Sequence, residues 1–400
     1  MIKILSIFGT RPEATKMVPV VLELKNKENI ISEVCVTAQH RELLDDVLAP
    51  FGIAPDYDLD LMRDRQSLSD FTARALIGLE DIIKQAQPDW VLVHGDTSTT
   101  FVASLAAFYA SQSRPKKPIQ IGHIEAGLRT YDKFQPYPEE MNRKLTTALA
   151  DKHFAPTELA RKQLLQENIS ADSIVVTGNT AIDLLAHTIK ENYSFQNAAI
   201  TTLLNSQLNS QSSLQNSLDL HNSQNLQKSA NDKKHIILMT AHRRENWGTP
   251  LENICRAVRQ LVTDFPEISI VYPVHPNPVV LNTAHAILSG HERIILTTPL
   301  SVFDMHNLMA KSHLILTDSG GLQEEAPALN KPVVVMRDVT ERPEGEAAGT
   351  LTLAGVDEIQ IHKTVSALLT DDQIYQKMAQ SQNPFGDGHA AKRIVEELLC

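Results

Sequence analysis

Carboxylates follow directly on buried apolar runs at two places in the first half of the chain, and a third opens a helix. Trp90-Val91-Leu92-Val93-His94 passes through Gly95 into Asp96, and Ile119 to His123 leads into Glu125. Pro136-Tyr137-Pro138 brings Glu139 into a first helical turn. Carboxylates that share a site push their pKa values apart, which separates one acid from one base. Asp96, Glu125 and Glu139 are therefore candidate proton-transfer groups. Asp96 reads equally well as a plain N-cap, and the hydroxyls Thr97 to Thr100 can cap the following helix. Glu140 reads as a complement to the helix dipole. His94 reads as a satisfied buried histidine.

Four further segments suit an anion or a sugar. Gly9-Thr10-Arg11-Pro12-Glu13-Ala14-Thr15-Lys16 ends one apolar run and opens a helix, with Pro12 in the first turn. Such a helix start offers unpaired N–H groups, and Arg11 and Lys16 add positive charge; the same residues could also be two solvated cations on a turn. His242, in Thr240-Ala241-His242-Arg243-Arg244-Glu245-Asn246, could touch a phosphate or a sugar, or lie in a polar loop. Val274-His275-Pro276-Asn277-Pro278 is a stiff turn presenting His275. Leu314 to Thr317 runs into Asp318-Ser319-Gly320-Gly321, with a helix expected from near Leu322. Two glycines there let backbone amides close on a pyrophosphate. Glu325, one turn on, is placed for ribose hydroxyls, and Arg342 in Thr340-Glu341-Arg342-Pro343-Glu344 could clamp a phosphate. Neither a Walker motif nor a dinucleotide-binding glycine fingerprint follows the first run, and no metal-ligand spacing appears.

These segments need elements to hold them. Ile2–Phe8, Ile31–Thr37, Trp90–His94, Ile119–His123 and Ile174–Thr177 read as buried strands alternating with helical patterns, and the alternation restarts. The second series is Ile236–Thr240, Ile268–Tyr272, Ile294–Leu296, Leu314–Thr317 and Val333–Met336. Continuous apolar strands alternating with helices mean parallel sheets covered on both faces. The fold class is α/β, with two Rossmann-like doubly wound domains whose ligands sit beyond the carboxyl ends of the strands. The expected division is 1–185, a linker at 186–234, a second domain at 235–378, and a C-terminal helix in 379–400 returning to the first domain. Within the linker, the insertion at 194–231 is rich in Asn, Gln and Ser. From Leu204 to Ser229 these make up 17 of 26 residues, too polar for a packed core.

The chain has 400 residues, enough for two or three domains, and a formal charge of −11. That balance speaks against a nucleic-acid binder. Cys35, Cys255 and Cys400 are odd in number and lack metal spacing, so reduced thiols in a cytoplasmic protein are expected. No run approaches the ~20 apolar residues of a membrane helix.

Taken together, the motifs resemble the non-hydrolysing UDP-N-acetylglucosamine 2-epimerase family. FGTRPEATKM, TAQHREL, VHGDTSTT, GHIEAGLRT, PEEMNR, GNTAIDLL, HRREN, TDSGGLQEEAP and TERPEG occur in the family's order across nearly the whole chain outside the insertion. The resemblance implies a glycosyltransferase-B-like fold with its site in a cleft between the domains. It also implies reversible conversion of UDP-GlcNAc into UDP-ManNAc without a cofactor or metal, and a homodimer. On it, Asp96, Glu125, Glu139 and His242 match catalytic positions, while Arg11, Lys16, Ser319, Gly320, Gly321, Glu325 and Arg342 match substrate contacts. Gln39, Arg65, Gln66 and His275 fall where many members bind a second UDP-GlcNAc as activator, and Glu42 stands where some carry Gln. Met305 matches a position beside the uracil that is aromatic in many members, with Phe303 nearby as the other candidate to pack on the base.

Overall fold

The computed structural model describes residues 1–37, 41–63, 66–205 and 234–399, and the backbone alone of 41–43. Gln39, Arg65, Cys400, the Glu42 side chain and the insertion beyond residue 205 lie outside the described residues. The chain divides into two units, Met1–His187 with Phe385–Cys400, and Thr188–Pro384.

Unit one is a seven-stranded parallel sheet in the order β3-β2-β1-β4-β5-β6-β7. Its strands are β1 (Ile2–Phe8), β2 (Ile30–Val36), β3 (Tyr57–Asp58), β4 (Trp90–His94), β5 (Gln120–Ile124), β6 (Lys152–Ala155) and β7 (Ile174–Val176). All five residues of β4 are buried, as befits a strand covered on both faces. Leu5, Ile7, Val91 and Val93 pack against Phe71, Leu79 and Ile83 of the helix Leu68–Ala86 and against Val102 and Ala106 of the helix Ser98–Ala110. The helix Ala390–Leu398 returns from the end of the chain to pack on the helix Arg11–Lys25.

Unit two is a six-stranded parallel sheet in the order β10-β9-β8-β11-β12-β13. These are β8 (His235–Thr240), β9 (Ile268–Pro273), β10 (Ile294–Thr297), β11 (Leu314–Thr317), β12 (Val333–Val335) and β13 (Leu351–Leu353). Its core joins Ile237, Met239, Ile270 and Leu316 to Leu251, Val258 and Leu261 of the helix Thr249–Asp264. Both sheets are doubly wound, and each reverses its strand order once, at β1/β4 and at β8/β11. The crevice beyond such a reversal is where sheets of this kind take ligands.

Three strands escape the sequence pattern: β3, β6 and β13. They span two to four residues, and Lys152-His153-Phe154-Ala155 in β6 is not an apolar run. Neighbouring strands recruit them through backbone pairing. Among the described residues no helix is long and apolar enough to cross a membrane.

Candidate active site

Unit one builds its reversal point from two loops tied by one carboxylate. Gly9 closes β1, and a side chain there would meet the Thr37 hydroxyl at 2.0 Å, so only glycine fits. Thr10 then caps the helix Arg11–Lys25 in a reciprocal capping box with Glu13. The Glu13 carboxylate, 2% exposed, accepts from the Gly9 and Thr10 amides and the Thr10 hydroxyl. It also accepts from Thr97 at 2.7 Å and Thr100 at 3.2 Å, in the loop and helix after β4. Burial pushes the Glu13 pKa up, although these donors pull it down. Thr97, not Asp96, caps the helix Ser98–Ala110, so capping leaves the Asp96 side chain available for other contacts.

Asp96 instead pairs with Arg143, and its carbonyl accepts from the Asn142 amide at 2.9 Å. Arg143 also binds Glu140 at 3.0 Å and lies within electrostatic range of Glu125. Glu140 therefore differs from the dipole complement expected of it. It is fully buried and accepts from the Thr130 and Tyr131 amides, both at 3.0 Å, fixing the loop that leads into the helix Glu139–Leu149. Glu139 opens that helix, and its Oε2 is buried without a hydrogen-bond partner among the described residues. A buried oxygen of this kind is costly unless a ligand completes it.

Glu125 directly follows β5 with φ +63°, a left-handed conformation uncommon outside glycine. Its carboxylate pairs with Lys16 and accepts from the Asn179 amide at 3.3 Å. Gly95, at φ +70°, leaves the space that the carboxylate uses, since a side chain there would sit 3.2 Å from Glu125 Oε2. Behind the carboxylates, His94, His123 and His153 lie on adjacent strands, all buried. Burial lowers their pKa values to about 4, 3 and 4, so all three are neutral near pH 7. The His123 ring reaches the Gly95 carbonyl at 2.7 Å and steadies the turn that carries Asp96. Arg11 lies half-buried at the helix start, its guanidinium without a partner among the described residues.

Unit two repeats the device at β8 and β11. Asp318, fully buried, accepts from the His242 and Arg243 amides at 2.8 Å each and from Asn246 at 3.1 Å. His242 Nδ1 lies 3.4 Å from the same carboxylate. Its pKa is lowered by burial, with Asp318 opposing and Arg243 and His275 assisting. His275, exposed in the loop after β9, stacks on His242 with ring centres 5.7 Å apart.

Ser319 precedes the helix Gly320–Glu325, which starts two residues earlier than the sequence pattern indicates. A side chain built on Gly320 would lie 3.6 Å from the Arg243 guanidinium and 3.7 Å from that of Arg342. Two guanidinium groups thus flank one glycine, an arrangement suited to a diphosphate. Arg342 pairs with Glu324, while Arg243 Nε is buried without a hydrogen-bond partner among the described residues. Glu325 faces His306, 3.5 Å away, and His306 in turn binds the Thr188 hydroxyl at 2.7 Å. Phe303 and Met305 lie half-buried on the helix Val302–Lys311. Gln66 accepts from Arg74 at 2.6 Å.

Sequence reading passes over Glu13, Arg143, Asn179, Arg243 and Glu324. The Thr10-x-x-Glu13 capping-box pattern could have marked the first. The others lie inside quoted motifs, but nothing in their spacing shows which side chain turns toward which loop.

The sequence profile of the UDP-N-acetylglucosamine 2-epimerase family matches residues 22–399. The UDP-N-acetylglucosamine 2-epimerase of Bacillus subtilis is 52% identical over 398 residues, covering 100% of this chain and 95% of its own. The Neisseria meningitidis UDP-GlcNAc 2-epimerase, solved bound to UDP-GlcNAc, is 46% identical with a TM-score of 0.80 and full coverage of both chains. Staphylococcus aureus MnaA, solved with UDP, is 45% identical with a TM-score of 0.82, covering 100% of this chain and 96% of that one. Motif order, two doubly wound units and full-length likeness agree: the chain belongs to the UDP-N-acetylglucosamine 2-epimerase family.

Proposed function

We propose that the chain interconverts UDP-GlcNAc and UDP-ManNAc by eliminating UDP to 2-acetamidoglucal and adding it back. The proton on carbon 2 of this sugar is not adjacent to a carbonyl and resists direct removal. If the bond from carbon 1 to the UDP oxygen breaks first, the electron pair leaves with UDP and positive charge grows at carbon 1. A carboxylate can then take the carbon 2 proton, and the C–H pair becomes the C1–C2 double bond. Re-addition of UDP to carbon 1, with a proton delivered to the opposite face of carbon 2, gives the epimer.

On this reading, Asp96, Glu125 and Glu139 divide the proton transfers between them. Arg11, Arg342, Arg243 and the amides at Ser319-Gly320-Gly321 take the charge of the departing diphosphate. Glu325 holds the ribose, Met305 or Phe303 flanks the uracil, and neutral His242 contacts the phosphate–sugar junction. Lys16 keeps Glu125 oriented. The observation that carries the reading is the buried, unpartnered Glu139 Oε2 at the head of the helix whose Arg143 grips Asp96.

The reading extends to a second UDP-GlcNAc as activator, contacted by Gln66 and His275. It extends also to a homodimer, for which the exposed apolar side chains Ile77, Phe108, Tyr109 and Leu145, on three neighbouring helices and each 40–66% exposed, offer contact area. The product would supply a surface polysaccharide.

The test is incubation of the pure protein with UDP-GlcNAc alone in heavy water. Deuterium at carbon 2 in both epimers is the expected outcome. An inert mixture that reacts only with an added acceptor would mark a glycosyltransferase. Release of free ManNAc, with no return from UDP-ManNAc, would mark hydrolysis instead.

A further inference from the structure

We propose that His306 is a positioning residue for Glu325, and that through it unit two tells a ribose from a sugar without hydroxyls. The inference rests on the ribose role of Glu325 proposed above, and it names what gives that carboxylate its selectivity. His306 sits on the helix Val302–Lys311 and is 4% exposed. Its Nε2 lies 3.5 Å from Glu325 Oε2, and its Nδ1 lies 2.7 Å from the fully buried Thr188 hydroxyl. An ionised carboxylate only accepts, so the ring nitrogen that faces it carries a proton. In the neutral form of the ring, Nδ1 then accepts from Thr188. The Thr188 hydroxyl thus selects the tautomer that turns an N–H toward Glu325. At 3.5 Å that N–H attracts the carboxylate without a full hydrogen bond, and polar contacts of an unliganded site commonly tighten when ligand arrives.

Thr188 is itself fixed. Asn307, next to His306 on the helix and almost fully buried, donates to the Thr188 carbonyl at 2.8 Å and accepts from the Lys190 amide at 3.0 Å. Its side-chain amide also donates to the Phe303 carbonyl at 2.8 Å, so the group that holds Thr188 is fastened to the helix that carries His306. One turn earlier, buried Asp304 accepts from the Tyr193 hydroxyl at 2.9 Å and the Gln196 amide at 3.2 Å. The segment from Thr188 to Gln196 is therefore tied to this helix at both ends, and the imidazole has little freedom to turn.

The Glu325 carboxylate spans two neighbours. Oε2 faces His306, while Oε1 lies toward the glycine turn, 3.6 Å from where a side-chain carbon on Gly321 would stand. A sugar joined to a diphosphate at that turn meets a carboxylate already aimed, so less freedom is lost on binding. A site built to hydrogen-bond a hydroxyl rejects the analogue that lacks it, because its acceptor stays unpaired. A carboxylate free to swing into water escapes that penalty. Holding Glu325 in place therefore raises both the affinity for a ribose and the discrimination against its absence.

The experiment is calorimetric titration of the full chain with UDP and with its 2′,3′-dideoxy analogue, which reads the preference for a ribose as a ratio of affinities. His306→Asn keeps a short amide for Thr188 but falls short of Glu325. It should cut that ratio by roughly fivefold or more and change affinity for the dideoxy analogue by less than about twofold. His306→Gln, which can bring an N–H to the place of Nε2, should keep most of the ratio. Thr188→Val should show part of the loss and Thr188→Ser none. A wild-type ratio in either His306→Asn or Thr188→Val would overturn the proposal. So would an equal loss of both ligands in His306→Asn, which marks a merely structural histidine. Glu325→Ala separates this inference from the reading beneath it. A ratio lost there but kept in His306→Asn means that the carboxylate holds the ribose unaided, whereas a wild-type ratio in Glu325→Ala would overturn the ribose role itself.

Discussion

The Lys16 ammonium pairs with the Glu125 carboxylate, 109 residues further along the chain. The pair unites the helix after β1 with the end of β5, and Asn179 holds the same carboxylate from the segment after β7. Glu125 keeps a left-handed backbone there, a conformation costing on the order of 1–3 kcal/mol that the surrounding contacts must offset.

If Lys16 serves Glu125, the two residues act as one unit. Glu125→Gln should lower kcat by roughly 10²–10⁴-fold, the usual worth of a positioned acid or base. Lys16→Met should lower it by a smaller factor. The double variant should be no slower than Glu125→Gln, because functional units are non-additive. Steady-state kinetics on the four proteins measures this, and fully multiplicative losses would separate the two residues.

Arg143 has a structural duty beside its contact with Asp96. Glu140 is fully buried and relies on Arg143 as its near cation, with Lys144 at 3.9 Å. Removing one partner of a buried pair costs about 3–5 kcal/mol, because the other charge is left uncompensated. Arg143→Leu should therefore destabilise unit one by about that much, and Glu140→Gln/Arg143→Leu should recover part of it. Urea unfolding of both variants is the measurement; equal stability of the two would show that the buried charge is not what matters.

Most of the frame was legible because buried parallel strands announce themselves as apolar runs. The motifs at their carboxyl ends were legible for the same reason: Asp96, Glu125 and Ser319 follow strands whose ends are plain in the sequence. The partners were not legible. Nothing in the spacing shows that Lys16 reaches Glu125, or that Arg342 meets Glu324. Such pairings depend on which way a side chain leaves a helix, and adjacent glutamates point to faces about 100° apart. The strands β3, β6 and β13 stayed hidden because backbone pairing, not composition, forms them.

Acid should loosen unit one through its buried histidines. His94, His123 and His153 have folded-state pKa values of about 4, 3 and 4, depressed chiefly by burial from an ordinary 6.5. Between pH 6.5 and about 4 the unfolded chain binds protons that the folded chain refuses. The stability from these three rings is thus complete above 6.5 and falls as pH drops toward 4. Glu13, with a raised pKa, opposes this trend. His153→Phe should flatten the decline of the urea midpoint over that interval, and an unchanged slope would refute the assignment.

The two arginines beside Gly320 separate binding from stability. Arg342 pairs with Glu324, whose side chain is 3% exposed, so Arg342→Ala would remove the proposed diphosphate contact and take the arginine away from a buried carboxylate. Arg243 has no ion-pair partner within 4 Å among the described residues, though its charge is felt by His242 and by Glu341, which lies beside Arg337. Arg243→Ala should therefore weaken UDP binding about 10–100-fold, the loss of one or two charge-assisted hydrogen bonds, with little change in melting temperature. Arg342→Ala should weaken UDP binding and lower the melting temperature together. Calorimetry with UDP beside thermal unfolding reads both quantities. UDP affinity unchanged in Arg243→Ala would remove that side chain from the diphosphate site, since burial of its Nε would then need another explanation.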